Sequence, residues 1–236
     1  MQVKNRAAKV RGPKAGRRAA IAPAEADASK RDRILAEAAK LFRHRGHTAT
    51  TLRQIADAAG LKAGSIYYHF ASKEEILVEV MDTGIRMVAA AVREKVDTLP
   101  KGASSRDRIA AAIEGHLHGL LHHGDFTSAN IRVYGQIPQS AKDRHRIVRR
   151  EYADYWDRLF ADAQRSGDLR PEVAVPVMRL FVLGSLNWTV EWYNPQRGPF
   201  ESFARHISGL VFDGILRHGG EIRPASGKRR RLLKPV

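Results

Sequence analysis

Between Thr50 and Phe70, apolar residues recur at helical spacing in two short segments. In the first, four apolar residues fall at i, i+3, i+4 and i+7, which places them on one helix face: Leu52, Ile55, Ala56 and Ala59. Thr50 or Thr51 stands where an N-cap hydroxyl belongs. Gly60 supplies a residue that tolerates positive φ, as a tight turn between two helices requires. The pattern therefore predicts two short helices that cross at a steep angle.

The second of these helices is brief and unusually polar. Ile66 and Phe70 point inward at i and i+4. The remaining side chains are expected to face outward: Lys62, Ala63, Ser65, Tyr67, Tyr68 and His69. Small and polar side chains can approach base edges, and hydroxyls with a lysine can bind phosphate oxygens.

The rest of the chain predicts an all-α fold. Ser29 is expected to cap a first helix that ends at Gly46. Ser72 and Glu75 form a capping box that opens a long helix over residues 73–96. From Ser104 onward no alternating strand pattern occurs, and breakers separate five further helices, at 105–122, 126–135, 139–166, 172–194 and 200–218.

The positive charge is concentrated at the two ends of the chain. The formal net charge is +16; residues 1–33 carry ten Lys or Arg against three acids, and residues 228–236 carry five Lys or Arg and no acid. Residues 1–28 and 224–236 lack periodicity and are predicted to be disordered basic arms. Such arms are typical of chains that bind a polyanion, although they can also serve only solubility.

Composition excludes several classes of protein. The absence of cysteine rules out a disulfide framework and thiolate metal sites, and is typical of a cytoplasmic protein. No apolar run reaches the length of a membrane span, and no apolar core follows the basic N-terminus as a signal peptide would require. We find no Gly-rich phosphate loop, nucleophile elbow or spaced carboxylate pair, so we expect neither an enzyme nor a cofactor.

Four motifs between Ser29 and Glu79 point to a family when taken together: AAKLFRHRG, TTLRQIADAAG, GSIYYHF and SKEEIL. In their order and spacing this segment resembles the DNA-binding domain of the tetracycline-repressor (TetR) family of bacterial transcription regulators. The chain departs from the family at Lys62, where a Ser or Thr cap is usual, and at Ala63, where a basic or polar residue is usual. Ala63 offers only a methyl group to the groove.

The resemblance implies a division into a helix-turn-helix domain over residues 29–75 and a helical effector-binding and dimerisation domain over 76–223. The implied function is a ligand-responsive homodimeric repressor of a pseudo-palindromic DNA operator. Ser65 and Tyr67 are expected to contact the groove and phosphates, and Tyr68 and His69 the backbone and flanking bases. Four further residues are expected to hold phosphates: Thr51, Arg53, Lys62 and Lys73.

Aromatic residues concentrate in the C-terminal half, where two interpretations remain open. Such residues at helical spacing usually belong to a core or a dimer interface, but they also line ligand pockets between helices. We predict that an effector site contains Tyr134, Trp156, Trp188, Trp192 and Arg132. The resemblance implies a dimer interface made by the last two helices.

The stretch WTVEWYNPQRGPF resembles TetR-type regulators of lipid and sterol breakdown that respond to acyl-CoA thioesters. An acyl-CoA effector, or another small apolar or aromatic molecule, is therefore expected. A metal site is not expected, although His118 and His122 lie one turn apart, because no third ligand follows from the spacing. A helical carrier or enzyme, and a DNA-binding protein without an effector, are the alternatives.

Overall fold

The computed structural model describes residues 23–122 and 124–213, which form helices joined by short connections. The α-helices are α1 (Pro23–Arg45), α2 (Leu52–Ala58), α3 (Lys73–Asp97), α4 (Ser105–His122), α5 (Gly124–Val133), α6 (Gln139–Arg165), α7 (Val175–Trp192) and α8 (Phe200–Asp213). Three 3₁₀ segments complete the fold: Ala63–Tyr68, Tyr134–Gln136 and Pro195–Arg197. The all-α prediction is confirmed.

The first helix begins earlier than the sequence pattern suggested. It starts at Pro23, so Ser29 lies inside the helix and residues 23–28 are helical instead of disordered. Proline is favoured at the first helical position and the alanines that follow are strong helix formers. The rest of the predicted N-terminal arm, residues 1–22, and the predicted C-terminal arm, residues 224–236, lie outside the described residues.

A first hydrophobic core holds the helix-turn-helix together. It joins α1, α2, the 3₁₀ segment Ala63–Tyr68 and the first half of α3. The same core includes Ala129 and Val133 of α5, which therefore packs directly on the N-terminal helices. The Arg43 guanidinium donates to the Asp125 carboxylate at 2.9 Å, so an ion pair also joins α1 to α5.

A second core forms the body of the molecule. It contains the second half of α3 together with residues of α4, α6, α7 and α8, and Trp156 is its largest fully buried side chain. Helix α3 contributes to both cores, Ile76 through Met81 to the first and Val88 through Val96 to the second. A displacement of α3 would therefore change the packing of both cores.

Glycines allow α4 and α5 to lie close to α3. A Cβ added at Gly115 of α4 would lie 2.6 Å from the carbonyl oxygen of Ala91, and one at Gly84 of α3 would lie 2.6 Å from that of Phe126. Both positions are in backbone contact, where a side chain cannot be accommodated without moving a helix. None of the helices within residues 23–122 and 124–213 combines the length and apolar character needed to cross a membrane.

Candidate functional site

The helix-turn-helix begins with a capping box at Thr51. The Thr51 hydroxyl oxygen accepts from the Gln54 backbone N–H at 3.2 Å, and the Gln54 side chain accepts from the Thr51 backbone N–H at 2.9 Å. Because the hydroxyl acts here as an acceptor, its own proton is left to donate. Arg53, two residues on, has a side chain that is 84% exposed and lies 3.9 Å from Asp57.

The turn after α2 depends on Gly60, whose φ is +66°. This left-handed conformation lets the N–H of Leu61 return to the carbonyl oxygen of Ala56 at 2.9 Å. The following segment, Ala63–Tyr68, is a 3₁₀ helix and has no side-chain cap at Lys62. Ile66 and Phe70 are buried in the first core, as predicted.

Most of the predicted DNA-contacting side chains lie on one exposed surface. Lys62 and Ala63 are exposed, Ser65 is half-buried, and Tyr67 and Tyr68 are 62% and 90% exposed. Two neighbouring tyrosines this exposed are unusual on a surface that contacts only water. This surface, with Arg53 and Thr51 beside it, is the candidate nucleic-acid interface.

The outward orientation expected of His69 is wrong. Its side chain is only 7% exposed, and its Nε2 lies 3.6 Å from the Asp27 carboxylate. Asp27 belongs to the early turns of α1 that the sequence pattern did not predict. His69 therefore packs against α1 and is not available to flanking bases.

Lys73, which is predicted to hold a phosphate, makes hydrogen bonds within the protein. Its ammonium donates to the carbonyl oxygens of His47 and Thr50, at 2.9 Å and 2.8 Å. These bonds hold the loop before α2 against the start of α3. One of the three ammonium protons is left for another acceptor.

The body contains a cavity of about 350 Å³ between α3, α4, α5, α6 and α7, which opens to solvent beside the exposed Arg149 and Leu180. Its apolar wall includes Ile85, Val88, Leu120 and Leu183. Among the described residues that line the cavity, two are arginines, Arg149 and Arg179, and none is a carboxylate. The cavity therefore favours a ligand with an apolar body and an acceptor-rich or anionic group.

The two arginines differ in how their charge is balanced. Arg179 donates from Nε to the Asp157 carboxylate at 2.8 Å and is mostly buried. Arg149 is exposed and lies over the ring of Tyr134, 4.1 Å from its centroid, without a carboxylate partner in the described part of the chain. Arg149 thus retains its hydrogen-bond donors and an uncompensated charge at the cavity.

A buried hydrogen-bonded chain forms one side of the cavity. His116 lies between Tyr152, whose oxygen is 2.8 Å from Nδ1, and Asn187, whose Oδ1 is 3.1 Å from Nε2. Burial lowers the pKa of His116 to about 4. Burial also raises the pKa of Tyr152, so the tyrosine remains a neutral donor.

The structure separates the five residues predicted for the effector site. Tyr134 lines the cavity. Trp156 is fully buried behind it, with its ring 6.2 Å from that of His116. Trp188 and Trp192 do not line this cavity and are 64% and 47% exposed, so their contact with an effector stays a prediction. The side chain of Arg132 lies outside the described residues.

Sequence reasoning missed Asn187 and Arg179. Both line the cavity from α7, where Arg179, Leu183 and Asn187 follow one another at i, i+4 and i+8. That spacing is visible in the sequence and places the three on one helix face. Trp188 follows the cavity-lining Leu180 and Gly184 at four-residue spacing, so its face of α7 borders the cavity without entering it.

The histidine cluster of α4 is divided by the structure. His116 is buried and hydrogen-bonded to Tyr152 and Asn187. His118 and His122 instead stack on each other with ring centroids 4.2 Å apart, next to Phe200. His123 lies outside the described residues. Within the described part of the chain, no three His, Asp or Glu side chains gather as metal ligands would.

An apolar face on α7 and α8 is uncovered by the part of the chain that the structure describes. Its large side chains are half to two-thirds exposed: Val177, Leu180, Phe181, Trp188, Trp192 and Leu210. Gly184 and Gly209 have no heavy atom within 4 Å of an added Cβ. A contiguous exposed apolar face of this kind is typical of a protein–protein interface.

An exposed helix-turn-helix joined to a helical body with a cavity defines a class of regulatory protein in which binding to DNA responds to a small molecule. Two family models match this chain: "Bacterial regulatory proteins, tetR family" over residues 34–80 and "Tetracyclin repressor-like, C-terminal domain" over residues 102–215. The chain belongs to the TetR family of bacterial regulatory proteins.

The relatives are transcription regulators and not enzymes. The chain is 28% identical over 198 residues to the HTH-type transcriptional repressor KstR2 of Mycobacterium tuberculosis, covering 81% of this chain and 95% of the relative. The TetR family regulator PfmR of Thermus thermophilus is 28% identical with a TM-score of 0.68, covering 79% of this chain and 97% of PfmR. AibR, solved in complex with isovaleryl coenzyme A and operator DNA, shares the fold with a TM-score of 0.68 at 23% identity, covering 78% and 98%.

Proposed function

We propose that this protein is a homodimeric transcriptional repressor whose affinity for its operator is lowered by an acyl-CoA thioester. The observation that carries the proposal is the cavity, which has an apolar side and, among its described lining residues, no carboxylate. Arg149 lines it and has no carboxylate partner in the described part of the chain. The resemblance to KstR2, named a transcriptional repressor, supports the sign of regulation. AibR, with isovaleryl coenzyme A, supports the ligand class.

The helix-turn-helix would place the 3₁₀ segment Ala63–Tyr68 in the major groove. Ser65 and Tyr67 would contact the groove and the nearest phosphates, and Tyr68 would contact the flanking backbone. Thr51, Arg53, Lys62 and the remaining proton of Lys73 would fix the register through phosphates. Ala63 would provide only an apolar contact, for which a thymine methyl is the natural partner.

The uncovered face on α7 and α8 would form the dimer interface. Two copies related by a two-fold axis would bury the exposed Phe181 and Trp188, and Gly184 and Gly209 would let the helices approach closely. A dimer of this kind presents two recognition segments to the two halves of a pseudo-palindrome.

Helix α5 offers a direct route from the cavity to the DNA-binding domain. Thr127, Asn130 and Ile131 line the cavity, whereas Ala129 and Val133 on its other side pack in the first core. Asn130 also donates to the carbonyl oxygen of Met81 on α3, at 3.0 Å. An effector that displaces α5 or α3 would change the separation of the two recognition segments, and bound DNA would in turn weaken effector binding by the same factor.

The test begins with an operator selected from random-sequence DNA by the full-length protein. Fluorescence anisotropy then measures the Kd for that operator in the presence of an acyl-CoA thioester, its free acid, or CoA alone. We expect the thioester series to weaken operator binding at least tenfold and CoA alone to have little effect. Equal release by the free acids would identify an organic acid as the effector instead, and failure to select any sequence would contradict the repressor function itself.

A further inference from the structure

We propose that Asn187 recognises the carbonyl oxygen of the effector's thioester through its side-chain amide N–H groups. This inference rests on the acyl-CoA effector proposed above, and it names the atom of the effector that the cavity recognises. It is carried by the hydrogen-bonded chain from Tyr152 through His116 to Asn187, which fixes the orientation of the amide.

The two hydrogen bonds that link Tyr152, His116 and Asn187 have one consistent donor-to-acceptor direction. Burial keeps the His116 ring neutral, so only one of its nitrogens carries a proton. The Asn187 Oδ1 can only accept, so the proton of His116 is on Nε2, which donates to that oxygen. The Nδ1 atom is then unprotonated and accepts from the Tyr152 hydroxyl. The oxygen of the amide is therefore engaged, and the NH₂ group remains to donate.

The amide donors of Asn187 have no partner within the described residues. Asn187 is half-buried and lines the cavity, so its NH₂ group is accessible to a ligand there. A neutral donor held in this way suits a carbonyl oxygen, because it offers two hydrogen bonds without a positive charge. A carboxylate is better matched by Arg149, whose charge is uncompensated.

We expect the acyl group and the coenzyme to lie on different sides of Asn187. Ile85, Val88, Leu120 and Leu183 would contact the acyl group. Arg149 lies one turn before Tyr152 on α6, lines the cavity and is exposed, so it belongs to the part of the cavity that is open to solvent. The coenzyme would leave the cavity along that side, with its phosphates near a guanidinium.

The test compares two probes that differ in the carbonyl group. Octanoyl-CoA and S-octyl-CoA, a thioether, have the same eight-carbon chain and the same phosphates. Isothermal titration calorimetry on the full-length dimer measures both dissociation constants. We expect octanoyl-CoA to bind about tenfold more tightly, which corresponds to the ordinary net contribution of one hydrogen bond.

Three variants locate the source of that preference. Asn187→Leu removes the donors, Asn187→Asp replaces the NH₂ group by an acceptor oxygen, and Tyr152→Phe releases His116 from its fixed tautomer. Each is expected to bring the ratio of the two dissociation constants from about ten to about one. The melting temperature of each unliganded variant establishes that it is folded.

The outcomes separate this inference from the proposed function. Equal binding of both probes by the wild-type protein, or a preference for octanoyl-CoA that survives Asn187→Leu, overturns the role of Asn187 and leaves an acyl-CoA effector in place. If neither probe binds a protein that still binds its selected operator, the acyl-CoA effector is overturned, and the carbonyl site with it.

Discussion

Lys73 illustrates how one side chain can serve both the fold and the proposed interface. Its two hydrogen bonds to the carbonyl oxygens of His47 and Thr50 tie the start of α3 to the loop before α2. Both carbonyl groups belong to residues that are themselves buried. The ammonium is therefore held at a fixed position near the N-terminus of α3, where a phosphate is also favoured by the helix dipole.

The hydroxyl of Tyr67 provides a prediction about DNA binding. Tyr67→Phe removes one hydroxyl from an exposed side chain without disturbing the buried Ile66 next to it. If the hydroxyl donates to a phosphate, operator affinity should fall by about tenfold, and by a similar factor for operators of different sequence. Anisotropy titrations on the selected operator and on point variants of it provide the measurement.

Tyr193→Phe is the matched control, because Tyr193 packs on Phe203 in the body, far along the chain from the helix-turn-helix. It should leave operator affinity unaltered. An unchanged affinity for Tyr67→Phe would remove the phosphate contact, and a loss confined to certain sequences would instead indicate a base contact.

His116 gives a prediction about pH. Its pKa in the folded protein is about 4, below the ordinary value of 6.5, so the unfolded chain takes up a proton first as the pH falls. Its contribution to stability is therefore complete above about pH 6.5 and is lost as the pH falls towards 4, with a loss on the order of 3 kcal/mol. Burial, followed by the charge of Lys73, also lowers the pKa of His47, which adds a loss of the same sign.

The measurement is the free energy of unfolding from urea titrations between pH 7 and pH 4.5. His116→Gln should flatten its dependence on pH, whatever its effect on stability at pH 7. His44→Gln, at an exposed position of α1, is the control and should retain the slope of the wild-type protein. A slope in His116→Gln equal to that of the wild type would assign the pH dependence to other groups.

At the scale of the secondary-structure elements, the approach of α4 to α3 depends on glycine. A Cβ at Gly115 would lie 2.6 Å from the carbonyl oxygen of Ala91 and 2.7 Å from the Cα of Val92, both of them backbone atoms. Gly115→Ala should therefore force the two helices apart and lower the free energy of unfolding by about 1–3 kcal/mol. Urea titration at pH 7 measures this loss.

Gly135→Ala is the corresponding control, since an added Cβ there has no heavy atom within 4 Å. We expect its free energy of unfolding to stay within about 0.5 kcal/mol of the wild type. A Gly115→Ala protein as stable as this control would mean that α3 and α4 can separate at little cost.

The 3₁₀ segment Ala63–Tyr68 shows how far the spacing of apolar residues can predict a helix type. Ile66 and Phe70 occupy the buried positions that an α-helix requires, yet Ala63–Tyr68 is a 3₁₀ helix. Lys62 provides no side-chain cap, and the segment is too short for tertiary packing on one side to impose the wider α-helical turn.

At the scale of the whole molecule, the uncovered face of α7 and α8 predicts a dimer that is required for DNA binding. Phe181→Glu places a carboxylate at the centre of an apolar surface that is now 68% exposed at this residue. Burying that charge would cost several kcal/mol, so the dimer should dissociate and operator affinity should fall by at least a hundredfold. Sedimentation velocity and anisotropy are the two measurements.

Ile147→Glu serves as the control because Ile147 is equally exposed, at 66%, but lies on α6 outside this face. It should remain dimeric and bind the operator normally. A Phe181→Glu protein that is still a dimer would place the interface elsewhere, and a wild-type protein that is a monomer would contradict the proposed assembly.

The sequence by itself determined the helical fold, the position of the helix-turn-helix and the family. These features rest on local rules: apolar residues at 3.6-residue spacing, the cap at Thr51, and the positive φ of Gly60 are all encoded within a few residues. The start of α1 was missed because six residues without a clear apolar stripe were assigned to the arm.

Only the tertiary structure decided which face of each helix meets which neighbour. The sequence could not tell that Trp188 and Trp192 lie outside while Asn187, on the same helix, lines the cavity. It also could not join His116, Tyr152 and Asn187, which are contributed by three helices far apart in the chain. Such contacts follow from how helices pack, and the packing is set by the whole set of side chains and close glycine contacts, which no local pattern contains.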